Sequence, residues 1–557
     1  MRLAAVAVAV AGLGCQDEGD EGGADEAEQG AGSEADCQPG SLGCECVEDS
    51  CLGSLECVEG VCAEAECTPG SAGCPCVEGE CLGDLVCEDE LCTDPGGTTT
   101  EGETGTTTES GSGEDSSSEE DSSEDSGSTT GEPESTCDNP DGAFGCVFYG
   151  AKLPAREPFF DDYAMQFTIG NPGPGVANVV VELNVDGQWD NVAGPLPVAA
   201  SDTHSFYFFG GGDIVPQGLA EGYGYRISSD APIVAHQYSP HDEIGRGGGS
   251  LLLPAPVLGH EYQVFHVGGS GLNPYFVVVA SVDDTTVFID PSQPLEEAPG
   301  VPPTSSPFQV LMHAGETLRV EADDFYAGVL NGTEISTDAA HPIAVFVGGY
   351  GSSQTYHYEE QLLPLSLLGT LHPSIAAGAT REGDNDDGEY FVVGVEATDY
   401  TITSAPGFYV QPDWTEASID PKEIRSFDVW KFGSAPEFGE LLFESVDPIM
   451  VFGNVEFQYP AMAQLIPYEH AATRYGLPVV DFLLSTTQVA VAYPANTELT
   501  IDGGTPPGLL YPPYEFAPGW WVARFVLDEG MHVLEADQPV IVTMGDKYLG
   551  LPAGLVP

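Results

Sequence analysis

From residue 230 onward one pattern recurs and limits what this chain can fold into. It is an acid or polar residue, a Pro, then a short apolar run. It reads Asp230-Ala231-Pro232-Ile233-Val234-Ala235-His236, then His341-Pro342-Ile343-Ala344-Val345-Phe346, then Asp447-Pro448-Ile449-Met450-Val451-Phe452, then Asp537-Gln538-Pro539-Val540-Ile541-Val542-Thr543. The prolines are 110, 106 and 91 residues apart. A second motif follows three of them: Leu252-Leu253-Pro254, Leu362-Leu363-Pro364 and Leu465-Ile466-Pro467. A third is a strand–turn–strand, Phe276 to Ile289, with Asp283-Asp284-Thr285-Thr286 at its turn; Phe391 to Ile402 and Val489 to Ile501 are its weaker counterparts. Motifs that recur in one order define a repeat. Pro is expected at the start of each strand, where a missing N–H does least harm, and the run after it suits a buried strand.

Runs such as Val179-Val180-Val181-Glu182-Leu183 and Phe276-Val277-Val278-Val279-Ala280 are short, β-branched and bounded by Gly, Pro, Asp and Asn. No long stretch keeps a helical period. Residues 137–557 therefore read as an all-β head of about four tandem β-sandwich-like repeats of roughly 100 residues each. A β-propeller with two blades per repeat is the alternative.

The chain upstream is built differently. Cys37, Cys44, Cys46, Cys51, Cys57 and Cys62 recur 30 residues on as Cys67, Cys74, Cys76, Cys81, Cys87 and Cys92, a tandem duplication. Each block (37–62 and 67–92) has few large apolar side chains and needs staples to hold a fold. Disulfides fit better than zinc, because no His precedes His204 and the spacing lacks the paired pattern of zinc sites. The pairing within a block stays open. With Cys137 and Cys146, fourteen of the 15 cysteines can pair.

The fifteenth is Cys15. A short apolar run, residues 3–14, follows Met1-Arg2 and stops at Cys15, beyond which Gln16-Asp17-Glu18 begins an acidic segment. The run is too short to span a bilayer and has the length of a signal-peptide core. The abrupt edge resembles a bacterial lipoprotein signal, in which the Cys takes the lipid. Gly12 departs from that pattern, where Leu or a similar residue is usual. The expected layout is a signal peptide over 1–14, a lipid-anchored spacer over 15–36, the two Cys blocks, a Ser/Thr/Glu-rich disordered stalk over 93–136, and the head.

Charge agrees with exposure to the outside. The chain carries 90 acidic and 13 basic residues, a formal net charge of −77, and residues 1–136 contain one basic residue, Arg2. Such a segment repels itself and stays extended. The balance excludes a nucleic-acid binder working through its own positive field, and docking on anionic lipid through a basic patch. The membrane is reached through the lipid anchor only, which places the protein at a cell surface, as an outer-membrane lipoprotein of a bacterium.

The stretch Gly249-Ser250-Leu251-Leu252-Leu253-Pro254, with Leu258-Gly259 and Tyr262 after it, resembles the IgGFc-binding protein N-terminal domain family. So do Asn331-Gly332-Thr333-Glu334-Ile335 leading to Pro342-Ile343-Ala344-Val345-Phe346, and Glu360-Gln361-Leu362-Leu363-Pro364 with Leu368-Gly369. The resemblance covers residues 200–550 and is clearest over 230–470. It implies kinship of fold and an exported protein. Fc binding itself is not carried over, because no residue set for it can be placed here.

Reactive chemistry is sparse. There is no His-Glu-x-x-His, and Gly268-Gly269-Ser270-Gly271 lacks the second flanking Gly of a nucleophile elbow, Leu272 standing there instead. No catalytic residue is assigned. His236 occupies the repeat position of Phe346 and Phe452, which suits a core residue better than a metal site with His241, Asp242 and Glu243. His357 with Glu359 and Glu360 is a second small polar cluster. Asp384, Asp386 and Glu389 form the best ion candidate, a calcium loop with hard oxygen ligands at alternate positions and no EF-hand spacing; the alternative is a plain acidic turn. Tyr350, Tyr356, Tyr358, Trp520 and Trp521 are candidates for glycan contact or for the core. The expected function is a binding or adhesion head for a surface protein or glycan; the alternatives are a structural surface component and a secreted hydrolase.

Overall fold

The computed structural model describes residues 55–58, 61–64, 86–88, 91–93 and 137, then residues 144–552 apart from 155–163, 209–213, 242–247, 267–271, 324–328, 352–356, 376–385, 432–438, 455–461, 480–487, 508 and 546–549. The chain divides into two bodies, residues 1–126 and 127–557. In the first, two short antiparallel hairpins are described. Leu55–Val58 pairs with Val61–Glu64, and Val86–Glu88 with Leu91–Thr93, which sets Cys57 opposite Cys62 and Cys87 opposite Cys92. The duplication in sequence thus returns as the same hairpin in each block.

The second body is all-β. Apart from three short 3-10 turns, its regular elements among the described residues are antiparallel strands. They gather around four long paths, each of whose two halves pairs with a different set of strands: Gly224–His241, Glu334–Ser336 continued by Ile343–Gly351, Leu441–Asn454, and Gly530–Gly545. We call the strands about each path a quarter. In the third quarter the first half of the path, Leu441–Ser445, pairs with Gly369–Ser374 and Thr398–Ser404. The second half, Ile449–Asn454, pairs with Asp386–Gly394 and Met462–Gln464. The fourth quarter repeats this with Ala472–Val479 and Leu499–Ile501, then Gln488–Pro494 and Gly550–Pro552. In the first, Gly145–Ala151 and Ala177–Val185 are followed by Ala164–Asn171 and Gly248–Leu251. In the second, Glu261–Gln263 and Thr285–Asp290 are followed by Leu272–Ala280 and His357–Gln361.

The recurring Pro sits where the path changes partner strands. In three quarters the strand runs straight through it, so Pro232, Pro448 and Pro539 lie inside strands rather than at their start. The reason is the same steric one. The ladder lapses there, with a register shift between Ser228 and Ile233 in the first quarter, and no bond is lost to the missing N–H. Only in the second quarter does a break, residues 337–342, separate the halves, and there Ile343 does begin a strand. The residue after each Pro then meets one fixed partner: Ile233 with Gly145, Ile343 with Gly259, Ile449 with Gly369 and Val540 with Ala472.

The third motif also has a clear role. Leu272–Ala280 and Thr285–Asp290 do not pair with each other; they belong to the five-stranded and four-stranded sheets of the second quarter, and the turn at Asp283-Asp284 carries the chain between them. Asp284 there adopts φ 59°, a left-handed conformation that Asp tolerates.

Each quarter packs on the next, and the fourth packs back on the first. The last strands of the quarters, Gly248–Leu251, His357–Gln361, Met462–Gln464 and Gly550–Pro552, touch in the same closed sequence. The apolar core runs continuously through the first three quarters and reaches the fourth at Ala490, Phe516, Val522 and Ile541, with Phe265 of the second lying 5.1 Å from Phe391 and 4.4 Å from Phe452 of the third. A second cluster fills the fourth quarter, and Phe144, Val234, Leu251 and Met531 form a small one between fourth and first. Cys137 is disulfide-bonded to Cys146 at the start of the first quarter, as the cysteine count requires.

Candidate functional site

The last strands of the first three quarters carry buried polar side chains, Ser250, His357, Glu359, Glu360, Gln361 and Gln464, and these tie one quarter to another. The Gln361 side-chain oxygen accepts from the Leu253 N–H at 2.8 Å, while the Gln361 N–H donates to Ser250 Oγ at 2.7 Å. One quarter further on the pattern repeats. Gln464 Oε1 accepts from the Leu363 N–H at 2.8 Å, and the Gln464 N–H donates to Glu360 Oε1 at 3.3 Å. The Gln three residues before the motif Pro therefore satisfies the backbone of the preceding quarter, whose N–H would otherwise be buried without a partner.

His357 and Glu359 belong to the same belt. Glu359 accepts from the Gln237 amide at 3.2 Å and contacts His357 Nε2 at 3.0 Å, and Gln237 Oε1 in turn accepts from the Ala151 N–H at 3.0 Å. All are buried. Burial pushes the Glu359 carboxyl well above its ordinary range, helped by the nearby Glu360, and pushes the His357 imidazole down to about 3. Burial likewise raises Glu360. Two dry charges would cost more than their attraction returns. The His357–Glu359 contact is therefore a hydrogen bond between neutral groups, with the acid donating to the ring nitrogen. Such a cluster braces a fold; it offers no water-exposed base. Among the described residues no group of three or more His, Cys, Asp or Glu side chains is arranged to hold a metal ion.

The other candidates are dispersed. His236 is buried in the long strand of the first quarter, as its repeat position implied. Ser270, Asp242, Glu243, Tyr356 and Asp384 lie outside the described residues, as do Cys15, the stalk and the side chains of the twelve Cys-block cysteines. Asp386 opens the strand Asp386–Gly394, and Glu389 is half-buried within it, opposite Asp428 on one neighbour and Asn454 on the other. Tyr358 is buried, Trp520 packs edge-on against Tyr468 at 4.8 Å, and Trp521 leans on the core of the fourth quarter.

One surface feature went unnoticed in the linear sequence. The four-stranded sheet of the second quarter runs in the order Glu261–Gln263, Glu334–Ser336, Thr285–Asp290, Phe308–Met312. Its inner face is apolar through Val287, Ile289, Val310 and Met312. Its outer face should be polar, yet Phe288 is 49% and Leu311 54% exposed. Phe288 lines an open groove of about 340 Å³ together with Pro307, Phe308, Gln309, Asp290 and Glu334. The alternation Thr-Thr-Val-Phe-Ile-Asp was visible in the sequence, but its phase against the core was not.

The repeated core, the Gln–backbone ties and the Pro-centred crossings coincide with what comparison finds: the sequence model described as IgGFc binding protein matches residues 248–545, more than half of the chain. The chain belongs to the IgGFc-binding protein family. That membership makes it an extracellular, β-rich binding or adhesion protein. The family match begins on the last strand of the first quarter and ends with the long strand of the fourth, so it takes in the groove and the belt apart from Gln237 and Ala151. No curated protein matches the chain. No helix among the described residues is long and apolar enough to cross a membrane.

Proposed function

We propose that this protein is a surface-anchored binding protein that holds its β head away from a bacterial outer membrane. Cys15 carries the lipid, two stapled Cys modules and the acidic stalk over 93–136 act as spacers, and the head of residues 137–557 engages a protein or glycan on another surface. The observation that supports binding above all is the family match over 248–545, in a family named for binding the Fc part of immunoglobulin G. The closed arrangement of quarters, tied by buried side-chain bonds, suits a rigid platform on which loops and sheet faces are presented. The calcium loop at Asp384, Asp386 and Glu389 stays part of this reading as a secondary element.

The test is a screen of the full chain against mucins, glycans, immunoglobulin and intact cells, with and without calcium. A saturable, competable partner supports the proposal. Dependence on calcium that disappears in Asp386→Asn supports the ion loop. Absence of binding by a folded chain overturns the proposal. The anchor is tested separately: Cys15→Ser should move the protein from the membrane fraction to the soluble one, and unchanged membrane retention would refute lipidation.

A further inference from the structure

We infer that the outer face and free edge of the four-stranded sheet in the second quarter form a docking site for an extended, cationic segment of a partner protein. This deepens the binding reading above and rests on it. The site is the strand Phe308–Met312, the exposed side chains of Phe288 and Leu311, and the groove at Asp290 and Glu334.

An internal comparison singles the site out. The third quarter has the same pair of strands, Thr398–Ser404 against Glu416–Ile419. Registers align: Thr286 faces Leu311 where Asp399 faces Ser418, and Phe288 faces Gln309 where Thr401 faces Glu416. In the third quarter that outer face is polar and self-satisfied, with Ser418 Oγ donating to Asp399 at 2.6 Å. In the first quarter the corresponding face holds Glu182 bonded to Arg226. Only the second quarter, among these, puts Phe and Leu there. The fold does not require them, since the third quarter has the same architecture and does without.

The edge matters as much as the face. Phe308–Met312 has one sheet partner, Thr285–Asp290, and is the last strand in its sheet among the described residues. Edges are ordinarily blunted by Lys, inward charges or bulges. This strand is in regular register along its whole length, has no charged residue, and shows Leu311 to solvent. An unguarded edge pairs with an added strand, whose main chain supplies affinity and whose alternate side chains supply selectivity. Those alternate side chains would lie over Leu311 and Phe288, so the occupant needs an apolar residue there.

Charge fixes the rest of the occupant. Asp290 and Glu334 also line the groove, Lys422 pairs with Glu334 at 2.9 Å, and Asp290 makes no ion pair among the described residues. The whole chain is acidic by 77 charges. A second copy of this chain or an acidic segment would be repelled, whereas a segment with Lys or Arg next to its apolar residue is attracted and steered.

The experiment pans a phage-displayed library of random decapeptides on the immobilised full chain. Affinities of the selected peptides are then compared on Phe288→Thr and Leu311→Ser, which install residues that the third quarter already carries at those positions. The expected result is enrichment of peptides with apolar and basic residues at alternating positions. Their binding should weaken by about tenfold or more in each variant, weaken with salt, and slow amide exchange at residues 308–312. Enriched peptides that bind both variants as well as the parent, that carry acidic consensus residues, or that protect other strands overturn the site. So does a library that yields no enrichment. A chain that binds a mucin, glycan or cell in the screen above but fails here loses this site and keeps the binding reading; a chain that binds nothing in either loses both.

Discussion

One residue position shows how the quarters are braced and where one is imperfect. Tyr262 Oη accepts from the Gly259 N–H at 3.0 Å and donates to the Ile343 carbonyl at 2.7 Å, pinning the sheet crossing of the second quarter. Tyr475 does the same in the fourth, accepting from Ala472 N–H at 2.8 Å and donating to the Val540 carbonyl. Phe148 fills the position in the first, and His372 in the third. His372 is buried, and burial pushes its ring down to about 4 from an ordinary 6.5. Its folded value is therefore depressed, and the unfolded chain binds the proton more readily. Stability is lost as pH falls from about 6.5 toward about 4, by up to roughly 3 kcal/mol from this residue. His266 and His357 act in the same direction, while Glu359 and Glu360, raised, cost stability as pH climbs above the ordinary carboxylate range. His372→Tyr should add a bridging hydroxyl worth about 1 kcal/mol at pH 7 and gain more at pH 5. His372→Phe should remove the same proton dependence without the hydroxyl. Urea midpoints at the two pH values measure both; a gain for Tyr no larger at pH 5 than at pH 7 would show that His372 does not titrate with unfolding. Tyr262 stood beside the recognisable Leu-Leu-Pro text, but its partner lies 81 residues away, which no local pattern discloses.

At the scale of elements, the crossing explains the small residue before each quarter. A Cβ on Gly259 would lie 2.2 Å from Cβ of Pro364; on Gly145, 2.4 Å from Cβ of Pro254; on Gly369, 2.5 Å from Cβ of Pro467. The Pro of the Leu-Leu-Pro motif thus rests on the Gly that pairs with the residue after the crossing Pro, and the two motifs are one contact. None of these glycines has a left-handed φ, so the constraint is space, not backbone. Gly259→Ala should cost about 1–3 kcal/mol by overpacking, read as a shift in the urea midpoint with unchanged slope; an unshifted midpoint would mean the Pro364 loop yields freely. The fourth quarter carries Ala472 at this position, so Ala472→Gly should bring no comparable gain. Strand type and repeat order were legible because β-branched runs and Pro spacing are local. That the crossing Pro lies within a strand was not, since it depends on two sets of partner strands sharing one chain. The Gln of Gln-Leu-Leu-Pro was equally plain as text, while its bond to the neighbouring quarter needed both quarters in place.

At the largest scale the head closes on itself, and this makes its parts interdependent. The family match begins at residue 248, yet the strand there, Gly248–Leu251, has its ladder partner in Gly224–His241, outside the match. The first quarter also supplies the strand Gly218–Ala220 to the sheet of the second. It meets the fourth where Met531 and Pro478 crowd Gly170 and where Arg474 donates to the Pro172 carbonyl at 3.2 Å. Removing residues 144–241 would strip both flanks at once, exposing Leu251 and Met531 of the small closing cluster and leaving the Gly248–Leu251 backbone without its partner. Quarters that share a core and satisfy one another's buried N–H groups unfold together. A fragment limited to residues 248–545 should therefore aggregate or expose apolar surface, whereas residues 137–557 should unfold in one cooperative transition. Urea unfolding followed by tryptophan fluorescence and far-ultraviolet dichroism decides it, because Trp189 reports on the first quarter, Trp414 and Trp430 on the third and Trp520 and Trp521 on the fourth. Coincident midpoints would establish the interdependence. A fragment of 248–545 that stays monomeric with the same midpoint would instead make the first quarter an independent addition, and the closed contact between fourth and first dispensable.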